Sequence, residues 1–307
     1  MSSVNQTREA LRQAVNASEI VVAPGVVDAL TARLVQQAGF PAVYATGAGI
    51  VNSQFAMPDL GLATMTEIRE QVRRIVSAVD LPVIADIDTG FGNPVNVYRT
   101  IREFDHAGVA AVQLEDQVSP KKCGHFAGKQ TVPAAEMVAK IQIAREAAGD
   151  SGLLIIARTD AIATEGFEPA LERARRYRDA GADILFVEAP ESIDQLERVP
   201  REVDAPVLVN MTEGGKTPLL TARELQQMGY NLVIFPNALM RIAAYAVREA
   251  LDQMKQNGGT GELLGSMLTW GERQSLVDIE RFEALERTFV TGIEPESQGG
   301  QVEAGND

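Results

Sequence analysis

One pattern recurs four times along the chain and limits its fold more than any other feature. A segment with helical periodicity ends in a small residue or Met followed by Gly, and an apolar, β-rich run begins at once: QQAGFPAVYAT, DHAGVAAVQLE, RDAGADILFVE and QQMGYNLVIFP. The glycine fits the position just past a helix C-terminus, where the backbone turns left-handed and a Cβ is a burden. The run after it is almost continuously apolar, as in a parallel strand buried on both faces. Similar runs stand at EIVVAP, LPVIAD, LLIIAR and APVLVN. Eight candidate strands result: Ile20–Ala23, Ala42–Thr46, Val83–Asp86, Ala111–Leu114, Leu154–Arg158, Ile184–Val187, Val207–Asn210 and Leu232–Phe235.

Helical periodicity fills the intervals, most clearly in Thr66–Asp80 and Leu171–Gly181. Eight β units alternating with helices over roughly 240 residues match a (β/α)8 TIM-type barrel better than an open doubly wound sheet. No GxGxxG follows any strand, which weakens the dinucleotide-binding alternative. Arg241–Lys255 reads as the eighth helix. QNGGTG then breaks the chain, and Glu262–Val290 carries two more helical patterns that a barrel does not need. These are expected to cover one end of the barrel or to pack on a neighbouring subunit. The expected division is a barrel catalytic domain over 1–255, a helical extension over 256–292 and a polar, Gly-rich disordered tail over 293–307.

Composition narrows the function. The 307 residues are 45% hydrophobic and 23% charged, enough for a full core, and the formal net charge is −14. That charge argues against nucleic acid or an anionic membrane as partner, but leaves room for an anionic small molecule at a local cationic site. The single cysteine, Cys123, excludes an internal disulfide and a multi-Cys zinc site. With only two histidines, a bound metal is expected to be hard and held by carboxylates. No apolar h-region opens the N-terminus and no run is long enough to span a bilayer, so the expectation is a soluble cytoplasmic protein without a signal peptide.

The strand ends carry the chemistry. One apolar run after another finishes in polar side chains: Tyr44 and Thr46, Asp86 and Asp88, Glu115 and Asp116, Arg158 and Asp160, Glu188, and Asn210 with Glu213. In a (β/α)8 barrel these ends converge on one face and would ring one pocket. Asp86 and Asp88 are two apart, so on an extended strand both point one way; Glu115 adds a third carboxylate. Such a cluster repels itself unless a cation or proton is shared, which suggests Mg²⁺ or Mn²⁺, the plain alternative being a solvated DxD turn. Arg158, the cation at a strand end, either pairs with a protein carboxylate or grips a substrate carboxylate. The TGAG run after Tyr44 could offer backbone N–H groups to an oxyanion. Cys123 stands in PKKCGHFAGKQ, where Lys121, Lys122 and His125 would lower its thiol pKa; it is either an acid for a carbanion intermediate or an incidental exposed thiol.

Taken in order, DIDTGFGN, LEDQ, KKCGH, ARTDA, EAP and NMTEGGKTP resemble the isocitrate lyase / phosphoenolpyruvate mutase superfamily, from about Val22 to the C-terminal helices. The branch they most resemble holds the 2-methylisocitrate lyases and the 2,3-dimethylmalate lyases, which are petal-death-protein-like. The resemblance implies a (β/α)8 barrel with a C-terminal helix swapped between subunits of a homotetramer, Mg²⁺, and an enolate-type intermediate of pyruvate. It implies Asp86 as the direct metal ligand, with Asp88 and Glu115 mostly through water. Tyr44, Thr46, Gly47, Ala48 and Arg158 match the pyruvate pocket, and Asp59 the gating loop. Cys123 matches the acid that protonates the pyruvate enolate, which favours C–C cleavage over mutase chemistry. Lys122, Gly124, His125, Glu188, Asn210 and Arg241 match positions around the substrate and its second carboxylate. Lys122 and the FAGK after CGH depart from methylisocitrate lyases, while Arg241 pulls back toward them.

The expected reaction is therefore a Mg²⁺-dependent retro-aldol cut of a di- or tricarboxylate 2-hydroxy acid into pyruvate and a carboxylic acid. Tyr44 or a metal-assisted group would be the base. Oxaloacetate decarboxylation or hydrolysis, or phosphoenolpyruvate mutase-like chemistry, is the alternative on the same pocket.

Overall fold

The computed structural model describes residues 3–122 and 128–290; Cys123, Gly124, His125 and the tail expected over 293–307 lie outside the described residues. The described chain forms two compact units, one up to Gln253 and one from Met254.

In the first unit eight parallel strands close into a barrel in chain order. They are β1 Val21–Val26, β2 Val43–Ala45, β3 Val83–Asp86, β4 Ala111–Glu115, β5 Leu154–Thr159, β6 Ile184–Val187, β7 Val207–Asn210 and β8 Leu232–Phe235. Closure is set by β8 against β1, with Val21 opposite Leu232. Each sequence-read strand is present, with shifts of a residue or a few at some ends. The largest is β1, which runs on to Val26, and β2 stops at Ala45 because Thr46 leaves the strand to cap a helix.

The helices of this unit are α1 Val4–Val15, α2 Ala29–Gln37, α3 Gly47–Phe55, α4 Met65–Ala78, α5 Pro94–His106, α6 Ala134–Ala148, α7 Ile162–Glu165, α8 Phe167–Asp179, α9 Ile193–Val203 and α10 Ala222–Met228. α11, Ala238–Asn257, runs past the boundary between the units. The four helix–Gly–strand junctions read from the sequence are as expected: Gly39, Gly108, Gly181 and Gly229 all have φ between 82° and 107°. Starts are set by side-chain caps, such as Thr64 with Glu67 on α4, Asn93 ahead of Pro94 on α5, and Thr221 with Glu224 on α10.

Strand alternation sorts the barrel into two cores. Val43, Ala85, Val112, Ile155, Leu185 and Val209 face the helices. Val21, Ala23, Tyr44, Ile84, Ile156, Phe186, Leu208 and Ile234 face inward. Leu11 and Val15 of α1 join the inward cluster, so α1 closes the barrel's N-terminal mouth. The sequence reading did not include α1, although Ser3 and Gln6 form a capping box at its start. Toward the C-terminal mouth the same inward register turns polar: Tyr44 is followed by Thr46, Ile84 by Asp86, Ile156 by Arg158, Phe186 by Glu188 and Leu208 by Asn210.

The second unit holds a 3-10 turn, Gly261–Ser266, and two helices, α12 Trp270–Leu276 and α13 Ile279–Phe289. The two helical patterns read over Glu262–Val290 thus resolve into one tight turn and two helices. Among the described residues no helix is long and apolar enough to cross a membrane.

Candidate active site

A pocket opens at the C-terminal end of the strands. Tyr44, Thr46, Ala48, Asp59, Asp86, Lys121, Arg158, Glu188, Asn210, Thr212, Ile234, Pro236 and Asn237 line it. Six or more different βα segments contribute, which is why local sequence sets the residue types but only barrel closure sets their meeting point.

α3 starts directly under the pocket. Thr46 caps it through Gly49 N–H, so Gly47 and Ala48 occupy its first turn. The expectation of a loop of free N–H donors at TGAG is thereby sharpened to a helix N-terminus, where orphan N–H groups and the dipole favour an anion. Gly47 N–H donates to Asp86 Oδ2 at 3.3 Å. A Cβ on Gly47 would stand 3.0 Å from that oxygen and 3.4 Å from Asp88 Oδ1, so the approach of this turn to the two carboxylates requires glycine.

Asp86 and Asp88 do converge, but not as two residues on one strand face. β3 ends at Asp86, and Asp88 has φ 48°, in the left-handed region. A tight turn brings the second carboxylate back: Asp88 N–H donates to Asp86 Oδ1 at 3.1 Å, and Glu115 N–H donates to Asp88 O at 2.9 Å. Burial, then Asp88, push the Asp86 carboxyl up to about 6. Burial also pushes Glu115 well above the usual carboxylate range. Glu115 Oε1 is buried with no hydrogen-bond partner, while Oε2 sits 3.3 Å from Arg158 Nε.

Charge around the pocket is lopsided. Among the described residues, Asp59, Asp88, Glu115, Asp160 and Glu188 share ion pairs with Lys121, Lys129 and Arg158, and Asp86 makes six carboxylates to three cations. Lys121 lies 2.6 Å from Asp59 Oδ1 and 2.8 Å from Asp88 Oδ1, the latter an ion-pair contact without hydrogen-bond alignment. Burial alone would lower its ammonium, but Asp88, Glu115, Asp86 and Asp59 raise it well above a lysine's ordinary value, so it remains a cation.

Among the described residues no three His, Cys, Asp or Glu side chains converge at metal-ligand spacing. The expected three-carboxylate cage is therefore absent as such. The residues nevertheless fit a hard cation held by one carboxylate and waters: the carboxylates outnumber the cations, and Glu115 offers a buried oxygen with no donor.

Arg158 resolves the choice left open by its position. Its Nε and Nη2 donate to Asp160 at 2.9 and 3.0 Å, so one edge of the guanidinium is committed to a protein carboxylate. The side chain still lines the pocket and lies over the Phe186 ring at 5.1 Å. Tyr44 is also corrected. Its buried hydroxyl donates to Gln113 Oε1 at 2.7 Å, and burial, then Asp86, raise it well above a phenol's usual value. In this setting the Tyr44 phenol holds its proton, which counts against it as the phenolate base.

Two further site residues stand elsewhere. Lys122 Nζ donates to Gly128 O at 3.0 Å, away from the pocket lining. Arg241 lies outside that lining and pairs with Glu213, 3.3 Å to Oε2 and 3.0 Å to its carbonyl. The Lys121 ammonium pairs with Asp59 and Asp88, while Cys123, beside which the KKCGH reading set it, lies outside the described residues.

Sequence reasoning missed Lys121, Gln113, Thr212 and Asn237. Gln113 Nε2 donates to Asp86 Oδ1 at 3.3 Å and is legible in retrospect, two residues before Glu115 on the same strand face. Nothing local distinguishes Lys121 from Lys122. Behind the pocket, Asp116 accepts from Thr159, Tyr177, Arg173 and Asp160 N–H, a buried hub that fixes the ends of β4 and β5.

A parallel (β/α)8 barrel with a carboxylate-rich pocket at its C-terminal end and an inward arginine defines the class: an enzyme scaffold of the TIM-barrel type. The phosphoenolpyruvate phosphomutase family model matches residues 11–255. The chain is 44% identical over 286 residues to the 2,3-dimethylmalate lyase of Eubacterium barkeri, covering 93% of this chain and 99% of that one. It is 45% identical over 273 residues to the 2-methylisocitrate lyase of Aeropyrum pernix, covering 89% and 88%. A solved phosphonopyruvate hydrolase in complex with oxalate and Mg²⁺ superposes with a TM-score of 0.84 at 30% identity, covering 94% of this chain and 99% of that one. The chain belongs to the PEP mutase/isocitrate lyase superfamily.

Proposed function

We propose that this protein is a Mg²⁺-dependent carbon–carbon lyase that cleaves a 2-hydroxy acid of the 2,3-dimethylmalate or 2-methylisocitrate type into pyruvate and a carboxylic acid. The observation that carries this reading is the surplus of buried carboxylates facing an inward arginine in one pocket. High identity to lyases over nearly their full length supports it. Asp86 would hold the cation, with Asp88 and Glu115 through water; when bound it supplies positive charge beside the substrate's 2-oxygen and carboxylate.

The remaining steps belong to the chain. Arg158 grips the carboxylate that becomes pyruvate's, and the first turn of α3, which lines the pocket at Ala48, turns its N-terminal end toward it. The 2-hydroxyl gives its proton to a carboxylate of the pocket lining, its oxygen becomes the pyruvate ketone, and the C2–C3 bond breaks. The electron pair of that bond goes to C3, so the carbanion forms on the departing acid. This corrects the expectation of a pyruvate enolate. The proton supplied by Cys123 completes the methylene of that acid. The residue lies two positions past Lys121, whose ammonium is in the pocket. Glu188, Asn210 and Thr212 line the pocket where the departing carboxylate would sit.

Ile234 and Pro236 line the pocket while Arg241 does not, which favours a substrate without a third carboxylate. The test is a panel of 2,3-dimethylmalate, 2-methylisocitrate, oxaloacetate and phosphonopyruvate, followed by NMR with Mg²⁺ and with a chelator. We expect pyruvate and propionate from 2,3-dimethylmalate, faster than turnover of the other three, and none with chelator. Oxaloacetate or phosphonopyruvate as the best substrate would overturn the lyase reading. A cytoplasmic homotetramer is the accompanying proposal, supported by the exposed apolar side chains Ile242, Tyr245, Val247 and Leu251 of α11.

A further inference from the structure

Asp160 stands two residues after Arg158, one past the end of β5, and the two side chains meet. It is fully buried, and its carboxylate serves two cations at once. Arg158 donates to Oδ2 through Nε and to Oδ1 through Nη2; Lys129 Nζ donates to the same Oδ1 at 2.7 Å. Burial alone would raise this carboxyl, yet Arg158 and Lys129 hold it down to about 2, so it is an anion at every working pH. The Lys129 side chain is 2% exposed. Its main chain is fixed, because the segment around it returns beside β4's end: Val118 N–H donates to Gln130 O and Val132 N–H to Asp116 O, both at 2.8 Å.

A guanidinium paired bidentately with a lone carboxylate forms a neutral unit and offers little net attraction to a second anion. Here a second buried cation shares that carboxylate. Arg158 also faces Glu115 Oε2 at 3.3 Å and Glu188 Oε2 at 3.9 Å, so negative charge around it is in excess. We propose that Lys129 is a positioning residue of the site: by sharing Asp160 Oδ1 it offsets part of the negative charge around Arg158, and so raises the site's affinity for a substrate carboxylate. Lys129 does not line the pocket, and its proposed effect on the ligand runs through Asp160 and Arg158. The inference rests on the reading that the pocket takes a small carboxylate.

The experiment is calorimetric titration of the full chain with oxalate in the presence of Mg²⁺. It compares wild type, Lys129→Met, Lys129→Arg and the double variant Lys129→Met/Asp160→Asn, each checked for its thermal melt. Lys129→Met should weaken oxalate about tenfold or more, and Lys129→Arg should stay within about threefold of wild type. The double variant, with Arg158 released from an ionised Asp160, should recover most of the affinity. A merely structural lysine would not be rescued by a second buried mutation. Wild-type affinity in Lys129→Met, or a double variant no tighter than the single, overturns the proposal. Should Lys129→Met fail to fold, the double variant decides: near-wild-type binding supports the proposal and weakened binding overturns it. A wild-type chain that binds no oxalate has a different meaning, since it removes the carboxylate reading of the pocket on which this inference stands.

Discussion

The two mouths of the barrel treat buried charge in opposite ways. At the N-terminal mouth Arg8, 4% exposed, donates to the carbonyls of Val109, Ser151 and Asp105 and pairs with the Asp105 carboxylate. Nearby, Asp183 is flanked by Arg12 and Arg145. Charge there is matched by charge and carbonyl. At the C-terminal mouth, among the described residues, six carboxylates meet three cations, Glu115 Oε1 is buried without a hydrogen bond, and Asp88 holds a left-handed backbone. One end is built for stability. The other keeps unmet electrostatic demand, which is what a site for a cation and a small anion requires.

The contrast breaks most sharply at Asp86. Asp86→Asn should lower kcat/KM by about a thousandfold while leaving the melting temperature unchanged or higher, because it removes unfavourable buried charge along with the proposed metal ligand. Steady-state kinetics and a melt on the same sample check both halves; a large loss of stability would erase the distinction between the two mouths.

Arg8→Met is the converse. It strands the buried carboxylate of Asp105 and three carbonyls, and should cost roughly 3 kcal/mol by denaturant titration, with kcat within about twofold of wild type.

A smaller effect follows pH. The Asp86 carboxyl is raised to about 6 in the metal-free fold. A carboxylate with a raised folded pKa favours the fold while protonated, and that contribution is lost as pH rises from about 4 through about 6. The metal-free chain should therefore lose up to about 3 kcal/mol from this group across that window. Added Mg²⁺ should raise the melting temperature more at pH 8 than at pH 5, where a proton competes for Asp86. A Mg²⁺ shift larger at pH 5 would reverse the sign and sink the assignment.

The smallest change is expected at Arg241. Its partner is Glu213 and it stands outside the pocket lining, so Arg241→Ala should alter kcat/KM for 2,3-dimethylmalate by less than about threefold. A loss beyond tenfold would bring it back into the substrate's reach.

Much of the barrel was readable because parallel strands covered on both faces must be near-continuous apolar runs, and because glycine at the four helix ends is required by a positive φ. α1 escaped because its amphipathic stripe closes a barrel mouth that no local pattern announces. Asp86, Glu115, Glu188 and Asn210 were readable as polar interruptions of apolar runs. Lys121 and Lys122 were not separable: adjacent lysines in one loop, they differ only in where their long side chains end. The expected one-face argument for Asp86 and Asp88 gave the right neighbours for a wrong reason, since the turn at Asp88 does the work.

By itself the sequence determined the eight strands, their parallel order and the polar residues at their ends, because periodicity, helix termination and burial are properties of short segments. Only the tertiary structure decided how charge is shared among those ends: Lys121 on Asp59 and Asp88, Arg158 and Lys129 on Asp160, Arg241 turned to Glu213. Pairing energies between long side chains depend on distance and burial. Both are fixed when the barrel closes and brings together residues far apart in the chain.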